Sequence, residues 1–321
     1  MRTITTLLLL LFTNLFSIAY GQQIGQFSNF DMNKFYYNPA YAGSTELTVM
    51  NAAFRNQWTG FDGAPRNINF NVSGSLKNEG KFGWGLGFSN QNSGLMNQSG
   101  FHLNYAHHFR LQKDLKLAFG IQPGFIQYRI RLYDAILADQ GDQILSGNVY
   151  SANAIDVNFG FNLYNKKFFI MAAGQRLLST DVKFTSYNQN LAMHFNGIAG
   201  LNFRTKKKNT LIQPMIMAQY TSYIPLQYAA MLKVTFDDKM WISGSYRSNQ
   251  SAGLTLGVNF KQRYGLYYGY DMTFNPLIRH NTGSHEVGIS FILNKKKPTL
   301  EEEDDQLNNS ILESTQMGTK K

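Results

Sequence analysis

The feature that most constrains this chain is a strict alternation of apolar and polar residues, repeated in segments of about ten residues between positions 46 and 294. In residues 154–163 every odd position is apolar, and the even positions from 156 to 162 hold Asp, Asn, Gly and Asn. The same period runs through residues 81–90, 251–260 and 286–293. It predicts β-strands with one apolar and one polar face. A soluble β-sandwich alternates in the same way, so the period alone leaves both architectures open.

The length of these segments favours a membrane barrel. A tilted transmembrane strand needs roughly 9–11 residues, whereas soluble strands average about 5–6. The fourteen predicted strands are 46–56, 67–76, 81–90, 99–110, 115–129, 152–163, 166–177, 193–204, 209–220, 225–236, 239–247, 251–260, 264–271 and 284–293.

The connections between these segments alternate in length. Those after even-numbered strands are short and polar, whereas all the long ones follow odd-numbered strands, at 57–66, 91–98, 130–151, 178–192 and 272–283. Transmembrane barrels place their short turns in the periplasm. An even strand count then puts both ends of the barrel on that side. The sequence therefore predicts an all-β fold, a transmembrane antiparallel β-barrel of about 14 strands with both termini periplasmic.

Composition supports this architecture. The chain has 25 Phe, 18 Tyr and 28 Gly, only 16% charged residues and no cysteine. The lack of cysteine excludes disulfides, cysteine-ligated zinc and thiol nucleophiles. Past the N-terminal segment there is no run of about 18 apolar residues, so a bundle of transmembrane helices is excluded. We expect the Phe, Leu and Trp faces to contact lipid and the Gly, Asn, Ser and His faces to line the lumen.

The first 21 residues read as a secretory signal peptide. Arg2 precedes an apolar stretch from Leu7 to Leu15, and Ala19-Tyr20-Gly21 gives a small-x-small cleavage site. We expect cleavage near Gly21, a mature chain that starts at Gln22, and a location in the outer membrane; an uncleaved anchor is the alternative. The predicted organisation is 1–21 signal peptide, 22–45 periplasmic or lumen segment, 46–294 barrel, and 295–321 charged, mobile periplasmic tail.

Three inward glycines, Gly83, Gly85 and Gly87, allow two interpretations. They leave room for another part of the chain to approach the wall, and residues 22–45 are a candidate plug. Alternatively, they only help the wall to curve, which is the interpretation we favour from sequence.

The formal net charge of +10 lies mostly on the predicted short turns, because the tail 295–321 holds five Lys and six acidic residues. Such a basic rim is either simply solvated or a docking surface for an acidic periplasmic partner. Nucleic acid is not an expected partner, because no recognition element accompanies the basic turns. The tail, with its acidic run at 301–305, is expected to be mobile, and it either contacts a periplasmic partner or has no binding role.

The sequence predicts no catalytic, cofactor-binding or metal-binding residues. His107 and His108 are adjacent on a strand and point to opposite faces, so they cannot ligate one metal together. The Gly83-x-Gly85-x-Gly87 run lacks the helix of a dinucleotide site, and no serine-hydrolase or zinc-protease motif occurs. We therefore expect a non-enzymatic protein, with an enzyme built on a barrel as a remaining alternative.

Two strings near the start of the mature chain are more specific. The first is Tyr37-Asn38-Pro39-Ala40-Tyr41-Ala42-Gly43-Ser44, and the second is Arg55-Asn56-Gln57-Trp58-Thr59-Gly60-Phe61-Asp62-Gly63-Ala64-Pro65. With Gly80–Gly87 they resemble the PorP/SprF family of Bacteroidetes outer-membrane proteins. The resemblance implies a part in type IX secretion and gliding motility. The implied partners are outer-membrane lipid, the periplasmic ring, the translocon and a large secreted adhesin, without any cofactor.

The family motif gives the candidate contact residues, with either a structural or a partner-binding role. They are Asn38, Pro39, Tyr41, Gly43, Arg55, Asn56, Trp58, Gly60, Phe61, Asp62, Gly63 and Pro65. Trp58 and Phe61 are expected at the outer rim, as a clasp across the barrel mouth or as a protein-binding edge. Arg55 and Trp58 are the residue types that anchor interfaces. The hypothesis is support for export and surface retention of an adhesin, or anchoring of the periplasmic ring; the alternative is a passive or substrate-specific porin.

Overall fold

A computed structural model of the protein describes residues 24–45, 47–76, 80–131, 149–178, 181–183, 188–205, 209–222, 224–248, 251–274, 276–279 and 281–293. The predicted signal peptide 1–21 and tail 295–321 lie outside the described residues. Among the residues that are described, no helix is long and apolar enough to cross a membrane.

The described residues form seventeen strands, of which all but two short ones build a single antiparallel sheet. The strands are β1 Val49–Asn56, β2 Arg66–Ser75, β3 Phe82–Ser93, β4 Met96–Arg110, β5 Lys116–Arg131, β6 Val149–Tyr164, β7 Phe168–Gln175, β8 Asp181–Lys183, β9 Asn188–Asn190, β10 His194–Leu201, β11 Phe203–Thr205, β12 Thr210–Thr221, β13 Ile224–Phe236, β14 Met240–Arg247, β15 Ser251–Phe260, β16 Tyr264–Thr273 and β17 Ser284–Ile292.

The sheet closes into a barrel of fourteen strands, as the sequence predicts. Each strand pairs with its neighbours along the chain, β1 pairs with β17, and β10 pairs with both β7 and β12. Only Asn202 separates β10 from β11, and both pair with β12, so they count as one interrupted strand. Strands β8 and β9 form a separate two-stranded sheet. Closure satisfies the backbone of every wall strand, which a sheet facing lipid requires.

The outer surface carries an apolar band with a defined upper limit. On β4, β5 and β6 the last apolar outward residues are Phe101, Phe125 and Ile155, which lie side by side in the register. They are 49%, 47% and 64% exposed, as expected for side chains that contact lipid. One step higher, the registered outward residues are Ser99, Gln127 and Asn153. In a transmembrane barrel such a change in polarity is expected at the edge of the bilayer.

Above this edge the polarity of the two faces is inverted. Ile126, Tyr128, Ala152 and Ala154 point inward and are covered by Leu191. The wall formed by β4–β6 therefore rises out of the lipid region on one side of the barrel and has a small apolar core of its own. An inward apolar face and a polar outer face are what an aqueous environment favours.

The two rims differ as expected. Short connections such as 111–115, 165–167, 237–239 and 261–263 form what we call the short-turn rim. The opposite, long-loop rim carries residues 57–65, 276–279 and 281–283. The prediction of a long loop at 91–98 is wrong. Strands β3 and β4 stay paired up to a two-residue turn at Gly94-Leu95. Both faces are polar there, so the alternation that identifies a strand is lost although the pairing continues.

Candidate functional site in the barrel lumen

Residues 24–45 occupy the lumen, and we call this segment the plug. It contains one short helix, α1 Lys34–Tyr37, followed by a 3-10 turn at Pro39–Tyr41. The side chain of Asn38 caps that turn by accepting a hydrogen bond from Ala40 N at 2.8 Å. Pro39 fits the first position because its ring fixes φ and it has no N–H to satisfy. The dense contacts of the plug bury Phe27, Phe30 and Tyr37 to 1% exposure or less.

The plug runs most of the length of the lumen. Its first residues lie towards the long-loop rim, where Gly25 N donates to Gln91 Oε1 at 2.9 Å and Gln26 Nε2 donates to Gln219 Oε1 at 2.8 Å. Its last residues lead into β1, whose Val49 pairs with Ile292 at the short-turn rim. The start of the described chain and the start of β1 are therefore near opposite ends of the barrel.

Inward glycines let the plug backbone touch the wall. A Cβ at Gly83 would overlap the carbonyl of Ala42, and one at Gly120 would overlap Pro39 and Ala40. At Gly85 a Cβ would stand 2.5 Å from Cζ of Phe35. The preference for wall curvature alone was wrong, because at Gly83 and Gly85 the missing side chain makes room for the plug. Gly87 is different, since a Cβ there would meet only ordinary contacts.

Hydrogen bonds between the wall and the plug hold the middle of the plug in place. Asn38 Nδ2 donates to the carbonyl oxygens of Phe161 and Ala172, both at 3.0 Å. Asn104 Nδ2 donates to Pro39 O at 3.1 Å. His108 completes the set with Nε2 at 2.7 Å from Ala42 O. The Asn-Pro-Ala string thus binds its own barrel.

A buried ionic cluster holds the upper plug. Arg55 Nη2 lies 2.7 Å from Asp271 Oδ2, and Arg55 Nη1 lies 3.5 Å from Glu286 Oε2. Ser28 Oγ donates to Asp271 at 2.8 Å, and Asn29 N donates to Glu286 Oε1 at 3.2 Å. We call these five residues the Arg55 cluster. The carboxylates of β16 and β17 therefore bind both a wall arginine and the plug, Asp271 through the Ser28 side chain and Glu286 through plug backbone N–H groups.

A second buried ion group lies lower in the plug. Asp31 contacts Lys34 Nζ at 2.5 Å and Lys233 Nζ at 2.6 Å. Burial opposes ionisation of Asp31, but the charges of Lys233 and Lys34 outweigh it, so the pKa of this carboxyl lies below its ordinary value. Both lysines also lie 4.3 Å from an aromatic ring centre, Lys34 over Phe169 and Lys233 over Trp241. Trp241 is thus an inward tryptophan, against the expectation that Trp faces lipid.

The second motif string divides between lumen and rim. Arg55 is 2% exposed inside the barrel, whereas residues 57–65 form a loop at the long-loop rim. Gly60 and Gly63 have φ of 96° and 70°, which only glycine adopts without strain. The loop is tied to its neighbours, since Thr59 N donates to Gly283 O and Gly94 N donates to Gly63 O, both at 2.8 Å.

The remaining motif residues take less prominent positions. Asn56 pairs with His285 and Arg66 at the end of β1. Trp58 is partly buried, and its N–H donates to Ser284 Oγ at 3.1 Å. Phe61 is 49% exposed. Asp62 is also exposed, whereas Pro65 O accepts from Gln57 N at 2.9 Å and closes the loop.

Sequence reasoning missed most of the wall partners of the plug. Lys233, Arg247, Asp271 and Glu286 are all charged and no more than 8% exposed. Each occupies an inward position of a strand whose other face is apolar. An ionisable residue within a membrane-spanning segment indicates a specific site. These charged inward positions could therefore have been identified from the sequence. Among the described residues, no group of three or more potential ligands is arranged to hold a metal ion.

One comparison with known proteins identifies a family for this chain. The family described as type IX secretion system membrane protein PorP/SprF matches residues 19–291. The search of curated proteins found no match.

Solved structures with a similar barrel include two toluene transporters and a FadL homologue. TodX of Pseudomonas putida has 7% identity and a TM-score of 0.46, covering 84% of this chain and 94% of its own. TbuX of Ralstonia pickettii has 9% identity and a TM-score of 0.47, with 80% and 92% covered. The Pseudomonas aeruginosa FadL homologue has 9% identity and a TM-score of 0.44, with 80% and 93% covered.

Proposed function

Because the chain belongs to the PorP/SprF family of type IX secretion system membrane proteins, we propose that it serves secretion as a closed outer-membrane barrel that binds other proteins at its rims. In this proposal it supports export and surface retention of a secreted adhesin, or anchors the periplasmic ring. It has no catalytic activity of its own.

The observation that supports this proposal is the plugged lumen. Phe30 and Tyr37 lie at the lumen centre at 0% exposure, packed against Met171, Met215 and Met231 of the wall. A porin requires a continuous water-filled path. The plug contacts strands on several sides of the barrel, so it favours protein binding over conduction.

The long-loop rim is the proposed surface for a secreted partner. Phe61 and Ile278 are 49% and 43% exposed on connections outside the strands. Backbone bonds from residues 59 and 63 hold the first of these loops in place. Ordered loops with exposed apolar side chains lose little entropy on binding, which suits an interface.

The short-turn rim is the proposed surface for the periplasmic ring. Arg110, Lys113, Lys166 and Lys167 are all exposed there. A basic surface of this kind attracts an acidic partner and speeds its association. In this proposal the short-turn rim faces the periplasm.

The test is comparative surface and secretome proteomics of a strain that lacks the protein. Loss of many unrelated secreted proteins indicates a role in the machine, such as anchoring the ring. Loss of one large adhesin indicates a dedicated partner. No change in either fraction contradicts the proposal.

Two rim variants assign the surfaces in the same assay. Phe61→Ser should impair adhesin retention, and the double variant Lys166→Glu and Lys167→Glu should impair ring association. Arg129→Gln, an exposed outward change above the bilayer edge, serves as the control. Recordings in planar bilayers test the porin alternative, because a steady conductance of the wild-type protein would contradict a closed lumen.

A further inference from the structure

An apolar groove crosses the outer surface of the barrel from β7 to β14. Its volume is about 890 Å³, within the range of sites that hold small ligands. Large outward side chains form its sides, and among them Ile216, Leu232 and Tyr246 are 62%, 51% and 48% exposed. These residues belong to the face of the wall that contacts lipid, so the groove opens into the bilayer.

The groove results from an alternation of large and small outward residues across neighbouring strands. In one registered row, Ala230 of β13 lies between Ile216 of β12 and Tyr246 of β14. In the adjacent row the large residue is on β13 and the small one on β14, where Leu232 pairs with Gly244. Among the described residues, no atom beyond the chain neighbours of Gly244 would lie within 4 Å of a Cβ there. The small residues therefore leave a continuous path between the large ones.

The groove begins at the short-turn rim and rises into the lipid region. Phe168 lines one end and is the first residue of β7, directly after the short turn 165–167. Gly244 lies towards the other end, well inside β14. The path crosses β7, β10, β12, β13 and β14, and four steps between strands add up to about 19 Å. Because one leaflet of a bilayer is about 15 Å thick, this length suits an acyl chain that lies obliquely.

Two cations stand at the rim end of the groove. Lys166 and Lys167 are exposed on the turn before Phe168. Asn165 holds this turn in place, because its Oδ1 accepts from Lys167 N at 2.7 Å and from Phe168 N at 2.8 Å. Neither this turn nor residues 199–205, which lie beside it in the sheet, contain Asp or Glu. A phosphate at this end would therefore meet an excess of positive charge.

We propose that the groove binds a phospholipid with an anionic headgroup, from the leaflet on the side of the short-turn rim. Its acyl chains lie along Ile216, Leu232 and Tyr246, and its phosphate contacts Lys166 and Lys167. Basic side chains at a membrane surface attract anionic lipids in this way. A second copy of the barrel suits the groove less well. A symmetric dimer in the membrane would bring the two lysines of one copy against those of the other, and like charges repel.

The groove lies on the outer side of the wall that holds the centre of the plug. Met215 and Met231 also line the groove, and they belong to the core cluster that contains Phe30 and Tyr37. A bound lipid would complete the packing of this part of the wall from outside and stabilise the plugged barrel. This binding does not depend on the role in secretion.

Native mass spectrometry tests the site on the purified protein, loaded in nanodiscs of phosphatidylglycerol or phosphatidylethanolamine and then washed with detergent. We expect the wild type to retain phosphatidylglycerol about tenfold better, because only this lipid carries a net negative charge. The double variant Ala230→Leu and Gly244→Leu fills the groove and should lose the retained lipid. Ala218→Leu, at an exposed outward position of β12 above the groove, is the matched control and should keep it.

Three results would overturn the proposal. They are equal retention of the two lipids by the wild type, retention by the groove-filling variant at the wild-type level, and a dimer that this variant abolishes. Heat-dependent mobility in gels shows whether each variant is a folded barrel. If the double variant does not fold, Gly244→Leu alone provides the same comparison.

Photolabelling locates the lipid independently of the variants. A phosphatidylglycerol with a photoreactive acyl chain should label β12–β14 of the wild type, and labelling spread evenly around the barrel would contradict the proposal. Lys166 and Lys167 also belong to the surface proposed for the periplasmic ring. The groove-filling variant separates the two roles, because it should lose the lipid and still associate with the ring.

Discussion

Gly83 of strand β3 lies so close to Ala42 of the plug that a Cβ at position 83 would overlap the carbonyl oxygen of Ala42. This contact joins the wall to the plug just before the chain leaves the lumen for β1. It is made between backbone atoms, so neither side can move away by a simple change of rotamer.

Gly83→Ala should therefore destabilise the protein by about 1–3 kcal/mol, the usual cost of forcing extra volume into a packed site. Unfolding by urea in detergent measures the change. Gly87→Ala is the matched control on the same strand, because a Cβ there would stand 3.7 Å from Cε1 of Phe35, in ordinary contact. Equal stability of the two variants would show that the plug does not press on β3.

Removing the cation of the Arg55 cluster should lower the stability of the protein strongly. Arg55→Met leaves the buried Asp271 and Glu286 carboxylates without their main partner, and breaking a buried pair on one side costs about 3–5 kcal/mol. Arg204 and Asp238 form a comparable pair at 3.0 Å, but both side chains are about half exposed. Arg204→Met should thus cost roughly 1 kcal/mol or less. Similar losses for both arginines would contradict a buried ionic cluster.

The lowered pKa of Asp31 predicts that the plug becomes less stable at acid pH. Its pKa in the folded protein is lower than in the unfolded chain, because the attraction of Lys233 and Lys34 exceeds the effect of burial. The stabilisation is therefore complete above the unfolded pKa of about 4 and is lost as pH falls through the folded pKa. Protection of residues 24–45 from an acid-active protease, followed from pH 5 to pH 2, measures the onset of this loss below pH 4. Asp31→Asn should weaken the plug at pH 7 and flatten this dependence, and an unchanged profile would contradict the prediction.

The outward residues of β4–β6 change from apolar to polar at one level of the barrel. This change predicts where on the outer surface a charged side chain is tolerated. Ile121 lies within the apolar band of β5, 46% exposed to lipid, whereas Gln127 on the same strand lies above its edge. Ile121→Arg should cost about 2–4 kcal/mol in a bilayer, as arginine does near the midplane. Gln127→Arg should leave stability in vesicles unchanged. The reverse order would place the bilayer elsewhere on the barrel.

Much of the fold follows from sequence because strand formation in a membrane wall is a local property. Each residue of β6 between 155 and 163 shows by its polarity which face it occupies, and segment length reflects bilayer thickness. The hairpin of β3 and β4 was missed where this contrast disappears, since residues 89–93 are polar on both faces. The motif strings identified the relevant plug segment but not what it binds.

What the sequence by itself determined is therefore the barrel: its strand count, its two kinds of rim and its membrane-facing band. Only the tertiary structure decided that residues 24–45 fill the lumen and which wall groups hold them. Ser28 and Glu286 are 258 positions apart and meet only because closure of the sheet brings β17 beside β1. No local period records such a contact, since it depends on the register of every strand between them and on the path of the plug.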